Sequence, residues 1–196
     1  MSSHHFVIEG QEPALFILDG LPFEKVASLL EWSPLVLVAD RAIDEVLSWG
    51  IKIDVVLQKN YTLETLEEML VAQSPIEIVS CGAAPPLETG LDFLTQSHQK
   101  AVNLIVNSDV DFFESAKKFC YQIQLVVLNE HQKWAAITSG KFEKWMNEGS
   151  RLSVHQYVEY PIRVEGLLNT GAIWTVARSA LVTIETNPVF WVGELI

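Results

Sequence analysis

The chain has only two cysteines, Cys81 and Cys120, in 196 residues, and their separation is no zinc-ligand spacing. That excludes a disulfide framework and a cysteine metal site, and it fits a reducing, cytoplasmic setting in which both thiols are buried small hydrophobes. No apolar run approaches the ~20 residues that cross a bilayer. The opening MSSHHFVIEG lacks the basic flank and apolar stretch of a signal peptide, so neither membrane nor secretion is expected. Basic residues are scarce: 13 Lys and Arg stand against 25 Asp and Glu, a formal net charge of -12. Such a chain repels a polyanion, which argues against nucleic acid as a partner. A phosphorylated small molecule bridged to the protein by a divalent cation remains open. The common catalytic signatures are missing as well: there is no P-loop, no glycine-rich dinucleotide turn and no nucleophile elbow. The turn SCGAAPP has one glycine, and its Pro85 and Pro86 offer no amide hydrogens to a phosphate. The histidines at 4, 5, 98, 131 and 155 show no metal-ligand spacing beyond the adjacent pair.

What is present is an alternation. PALFIL, PLVLVAD, IDVVLQ, IEIVSC, AVNLIVN and IQLVVLN are apolar runs without period two, as expected of strands covered on both faces. Between them FEKVASLLEW, AIDEVLSWG, TLETLEEMLVAQ, PLETGLDFLTQ and DFFESAKKFC read as helices. In the third, Leu63, Leu66, Met69 and Leu70 recur at helical spacing and Thr62 is placed to cap. The fold class is α/β: a mostly parallel, Rossmann-like three-layer domain over residues 1–130, followed by an antiparallel β-sandwich domain over 131–196. In the second part RLSVHQYVEYPIRVEG places Leu152, Val154, Val158, Tyr160, Ile162 and Val164 on one face at period two. ALVTIETNPVFWVGEL gives two more strands around Asn187-Pro188, and the linker is expected within residues 129–150.

Ligands of open α/β sheets gather at the carboxyl ends of the strands, here Asp40–Asp44, Gln58–Thr62, Gly82–Pro86 and Asn107–Asp111. Asp40 is placed either to hold a metal ion or ligand hydroxyl or to cap the helix that follows. Asp54, inside its strand, reads as structural. Asp109 and Asp111 offer two carboxylates, but Asp111 with Glu114 reads better as a capping box. Lys59 is a candidate cation at a strand end. Trp174 and Trp191 offer rings that would stack on a flat cationic heterocycle if exposed, and otherwise belong to the core.

The order of these segments resembles the thiamine pyrophosphokinase family along nearly the whole chain. ALFILDGLP resembles that family's opening strand, which ends in Leu-Asn-Gly and a proline. VLVADRAIDEVLSWGIKIDVVL resembles its Ala-Asp-Gly-Gly-Ala-Asn stretch and the strand beyond, retaining Ala39, Asp40, Leu47, Gly50, Ile51 and Asp54. IEIVSCGAAPPLETGLDFL matches the strand and helix around its Asp-x-Thr-Asp motif, and VEGLL with ALVTIETNPVFWV resembles the closing sandwich strands. The resemblance implies ATP and magnesium at the α/β domain and thiamine between the subunits of a homodimer. The departures fall on the catalytic motifs. Gly-Asp-Phe-Asp-Ser is replaced by Gln58, Lys59, Asn60, Tyr61 and Thr62, and Asp-x-Thr-Asp by Ala83, Ala84, Pro85 and Pro86. Bulky Arg41 and Ile43 stand where glycine and alanine would let a ligand approach, beside Asp44. Metal binding would rest on Asp40 alone, helped by Asp44 or Asp54. Three functions therefore stay open: a homologue impaired in catalysis that binds a nucleotide or thiamine-like ligand; an active, ATP- and magnesium-dependent diphosphokinase in which Lys59 or Arg41 contacts phosphate; and a structural dimer with a blocked cleft.

Overall fold

The computed structural model describes residues 12–107, 111–169, 173–186 and 189–196. Six apolar runs form β1 (Ala14–Ile17), β2 (Val36–Ala39), β3 (Val55–Gln58), β4 (Glu77–Ser80), β5 (Ala101–Ile105) and β6 (Gln124–Leu128). They lie in the order β6-β5-β1-β2-β3-β4, each parallel to its neighbours. Successive side chains point to opposite layers. Phe16, Leu37 and Leu57 pack with Leu87, Leu91 and Ala116 of α4 (Pro86–Gln96) and α5 (Phe113–Lys117). Leu15, Ile17, Val38 and Val56 pack with Val26, Ile43, Val46 and Leu66 of α1 (Phe23–Val26), α2 (Ile43–Ser48) and α3 (Leu63–Met69). Helices on both faces explain why these runs are apolar throughout. Gly90 marks the closest approach: a Cβ there would lie 2.4 Å from the Phe16 ring, so only glycine lets α4 sit this near β1.

Of the expected helices, PLETGLDFLTQ is α4 to the residue. The others are shorter, and 3-10 turns at 27–30 and 71–73 replace their last turns. Thr62 caps α3 as expected, its Oγ1 accepting from the Thr65 amide at 3.2 Å.

The sheet does not end at β6. Across a three-residue turn β7 (Gln132–Ile137) pairs antiparallel with it. Then β14 (Phe190–Leu195), β9 (Arg151–Gln156), β12 (Trp174–Val176) and β11 (Leu167–Asn169) carry the same sheet to eleven strands. A second sheet, β10 (Arg163–Glu165), β13 (Ala180–Glu185) and β8 (Lys141–Met146) in that order, covers these antiparallel strands. Leu152, Phe190 and Val192 meet Met146, Val182 and Ile184 between the two sheets. The parallel α/β layer followed by an antiparallel sandwich is thus the architecture, with two corrections. Within residues 129–150 only the short turn 129–131 connects the two parts, and the stretch beyond it carries β7 and β8. The period-two run of 151–166 is not one strand or hairpin: β9 belongs to the large sheet and β10 to the small one, and Val158 and Tyr160 between them are exposed. The Asn187-Pro188 turn lies outside the described residues.

Strand β14 joins the two cores. Phe190 and Val192 face the sandwich, while Trp191 between them faces α5 and is fully buried. Its ring meets Phe112 and Phe113 edge-on, with centroids 5.5 and 5.6 Å apart. The indole Nε1 donates to the Tyr157 hydroxyl at 2.8 Å, and that hydroxyl donates to the Phe113 carbonyl at 2.8 Å. His155 stacks on Phe113 at 3.8 Å, its buried Nε2 has no hydrogen-bond partner among the described residues, and burial pushes its pKa down.

Candidate functional site

Strand order reverses at β1, which has β2 on one side and β5 on the other. The crevice outside the carboxyl ends of β1 and β5 is therefore the default ligand position. Asp19, the second residue after β1, spans it. One carboxylate oxygen accepts from the Asn107 amide at 3.0 Å beyond β5. The other pairs with Arg41 Nη2 at 2.8 Å, while Arg41 Nε donates to the Leu18 carbonyl at 2.9 Å. Glu45 of α2 lies against Gly20: a Cβ at position 20 would meet that carboxylate, 1.6 Å from Oε2, and the flexible glutamate would have to swing aside. Arg41 is thus engaged with β1 and the β5 loop, although two fifths of its side chain stays exposed.

The next two loops are held by internal charges. Asp40, directly after β2, is completely buried. One oxygen accepts from the backbone amides of Lys59 (2.7 Å), Asn60 and Tyr61 (3.0 Å), and the other from Asn60 Nδ2 (2.7 Å). Burial raises its pKa, but these four hydrogen bonds outweigh burial and hold the carboxyl below its usual 3.8. The three amides form the kind of concave nest, ahead of a helix, that commonly takes an anion. Here the chain's own carboxylate fills it. Asp40 neither caps α2, which has no side-chain cap, nor presents free lone pairs at the strand end. Gln58 Nε2 completes the loop by donating to the Tyr61 carbonyl at 2.8 Å.

Lys59 leaves this loop in the other direction. Its ammonium donates to the carbonyls of Gly82 (2.7 Å) and Ala84 (3.2 Å), tying the loop after β3 to the loop after β4. With Lys59→Met these carbonyls return to solvent. The expected result is a stability loss of no more than about 1 kcal/mol, because the bonds are exposed. Faster amide exchange is expected at Ala83 and Ala84, with β1 unchanged, and an unchanged loop would show that the tie is immaterial.

The remaining candidates divide. Asp44 meets the Tyr61 hydroxyl at 3.1 Å, and this hydrogen bond, with the carboxylate's charge, raises the tyrosine pKa. Asp54 lies before β3, at the opposite end of the sheet, where its Oδ2 accepts from the Val36 amide at 2.9 Å. It is therefore not brought together with Asp40 and Lys59, which stand at the carboxyl ends of β2 and β3. Trp191 as a stacking surface is likewise corrected, because the ring is sealed in the core. Trp174, on β12, is half-buried against the sandwich core. Asp111 accepts from the Phe113 amide at 3.2 Å, two residues on, in place of the expected box, since the N-cap of α5 is Phe112 and carries no side-chain cap bond; Asp109 lies outside the described residues. Among the described residues no group of three His, Cys, Asp or Glu converges as a metal site. Asp19 is a site residue that the sequence pattern does not single out, although it lies in the strand end LDG.

No family profile and no curated protein sequence matches the chain. Solved structures do. The thiamine pyrophosphokinase of Bacillus subtilis superposes with a TM-score of 0.73 over 93% of this chain and 98% of its own, at 13% identity. That of Candida albicans gives 0.64 over 94% and 90%, at 7% identity, and the yeast enzyme 0.60 over 95% and 87%, at 8% identity. The chain has the thiamine pyrophosphokinase fold over more than nine tenths of its length.

Proposed function

We propose that this chain is a thiamine pyrophosphokinase-like protein that keeps the cleft as a small-ligand site, for a nucleotide or thiamine-like molecule, and no longer carries out magnesium-dependent diphosphoryl transfer. The observation behind this reading is the Lys59 ammonium, bound across the gap between the loops after β3 and β4. Diphosphoryl transfer depends on metal ions and positive charge placed around the phosphates. Magnesium demands several free oxygens in octahedral array. Asp40 has spent its carboxylate on four N–H groups, and the neighbouring loop offers an ammonium in place of acidic side chains. That donor set does not fit magnesium.

The groups left for a ligand are the exposed Asn60, the Tyr61–Asp44 pair and the exposed part of Arg41. They suit hydrogen bonding to a ring or hydroxyl better than the clamping of a triphosphate. Calorimetry with ATP, ADP, thiamine and thiamine phosphates, each with and without magnesium, tests the reading. Binding of one of them with an affinity indifferent to magnesium is expected. Magnesium-dependent binding of ATP would overturn the loss of the metal site, and no binding by any of them would overturn the ligand-binding role.

A further inference from the structure

The short helix α5 is held to the large sheet by an aromatic seat. Phe113, its first residue, sits in a box whose walls come from three strands: Trp134 of β7, Trp191 of β14 and His155 of β9. Both indoles meet its ring edge-on, with centroids 5.1 and 5.6 Å away, while the imidazole lies flat on it at 3.8 Å and 13°. The walls are fixed by the sheet. His155 stands opposite Trp191 in the register of β9 with β14, and Trp134 lies so close over Gly193 that a Cβ there would come within 2.7 Å of its ring. The Tyr157 hydroxyl adds a hydrogen bond to the Phe113 carbonyl at 2.8 Å. A helix of five residues does not hold itself, so α5 depends on this packing.

His155 is the member of the box that can change its charge. A neutral imidazole carries one N–H and one bare nitrogen, and the Nε2 of His155 is buried without a hydrogen-bond partner among the described residues. A second proton puts a donor on both nitrogens and a charge on a ring enclosed by Phe113 and by Tyr157, whose ring stands edge-on at 5.5 Å. The charges that face it come from the α5 side: Asp111, Glu114, and Lys117, which lies over the Tyr157 ring at 4.6 Å. On its own strand Tyr157 stays neutral because burial raises its pKa, as burial also does for the Cys120 thiol beside it, and β7 and β14 present the two indoles, which do not titrate. We propose that His155 is an acid-released latch: a proton on its ring drives the imidazole off Phe113 and frees α5 from the large sheet. The carboxylates of Asp111 and Glu114 favour the charged ring in place, but burial outweighs them and holds the pKa below the ordinary 6.5. The folded chain therefore prefers the neutral ring. The latch is at full strength above pH 6.5 and weakens as pH falls from there to the folded value, where the loss is complete. Since α5 is the element that follows β5, its release acts on the β5 side of the cleft.

The latch goes beyond the proposed function and stands or falls apart from ligand binding. Amide hydrogen exchange of the full chain tests it, with folding of each variant checked by circular dichroism at about pH 7. The amides of Ala116 and Phe119, bonded to the carbonyls of Phe112 and Ala116, report on α5, and those of Leu15 and Leu18 report on β1. After correction for the intrinsic pH dependence of exchange, protection of the α5 pair is expected to fall between about pH 7 and pH 5 by at least roughly threefold more than that of the β1 pair. His155→Phe keeps a flat ring on Phe113 and takes no proton, so this extra fall is expected to vanish, and His155→Gln is expected to lose it as well. Glu114→Gln removes a carboxylate that favours the charged ring and is expected to move the release to lower pH. An extra fall undiminished in both His155 variants, a fall shared equally by β1, or stronger protection of α5 at low pH in the native chain overturns the proposal.

Discussion

Replacing Asp40 by alanine is expected to lower the unfolding free energy by roughly 3–5 kcal/mol, the range for removing one partner from a buried, charge-assisted network. The side chain is completely buried and takes four N–H donors from a single loop. Alanine leaves the amides of residues 59–61 facing an empty space of carboxylate size, and each buried donor left without a partner costs about 1–3 kcal/mol unless water enters. Asp44→Ala, which loses only the bond to the Tyr61 hydroxyl, is the control and should fall within about 0.5 kcal/mol of native. Urea unfolding reads both, and equal small effects would mean that Asp40 is not the anchor of this loop. The acid side gives an independent check. Because the folded carboxyl titrates below its unfolded value of 3.8, its contribution is present above that value and is lost as pH falls through the folded pKa. Asp40→Asn should flatten this part of the stability–pH curve.

Trp191→Ala should cost a comparable 3–5 kcal/mol, for a different reason. The ring is fully buried between β14 and α5, so truncation opens a large cavity beside Phe112 and Phe113 and deprives the Tyr157 hydroxyl of its donor. Trp191→Phe keeps most of the ring contact and loses the indole hydrogen bond, so a loss of about 1–3 kcal/mol is expected. Thermal unfolding distinguishes the two. An alanine variant as stable as native would place the ring outside the core and reopen it as a ligand surface.

Both effects come from contacts that sequence pattern does not display. β1 to β6 were legible because a strand covered on both faces must be apolar at nearly every position, and that leaves an unmistakable run. β8 was not legible. Its outward residues are Lys141, Glu143 and Trp145, and its inward face is interrupted by Lys144, whose ammonium is 2.7 Å from Glu194 of the facing sheet. An ion pair between the two sheets erased the alternation that would have marked the strand. The run from Leu152 to Val164 erred the other way: its period continues by coincidence through Tyr157–Ile162, where the chain crosses from one sheet to the other.

At the site, Asp40 and Lys59 were found by position, since both sit at strand ends. Their partners were not, because those partners are backbone amides and carbonyls that every residue carries. Trp191 is the plainest case. Period two tells that Phe190 and Trp191 face opposite sides of β14, but not that both sides are buried.

The proposed function holds that Lys59, tied between two loops, and the hydrogen-bonded Asp40 leave no place for a metal-dependent reaction centre. Its most direct test is a product assay: the chain at high concentration with ATP, thiamine, and magnesium or manganese, followed for AMP and thiamine diphosphate together. The expected result is no formation of either product above the protein-free control. Formation of the two products in equal amounts, repeated over many turnovers and abolished by chelating the metal, would contradict it.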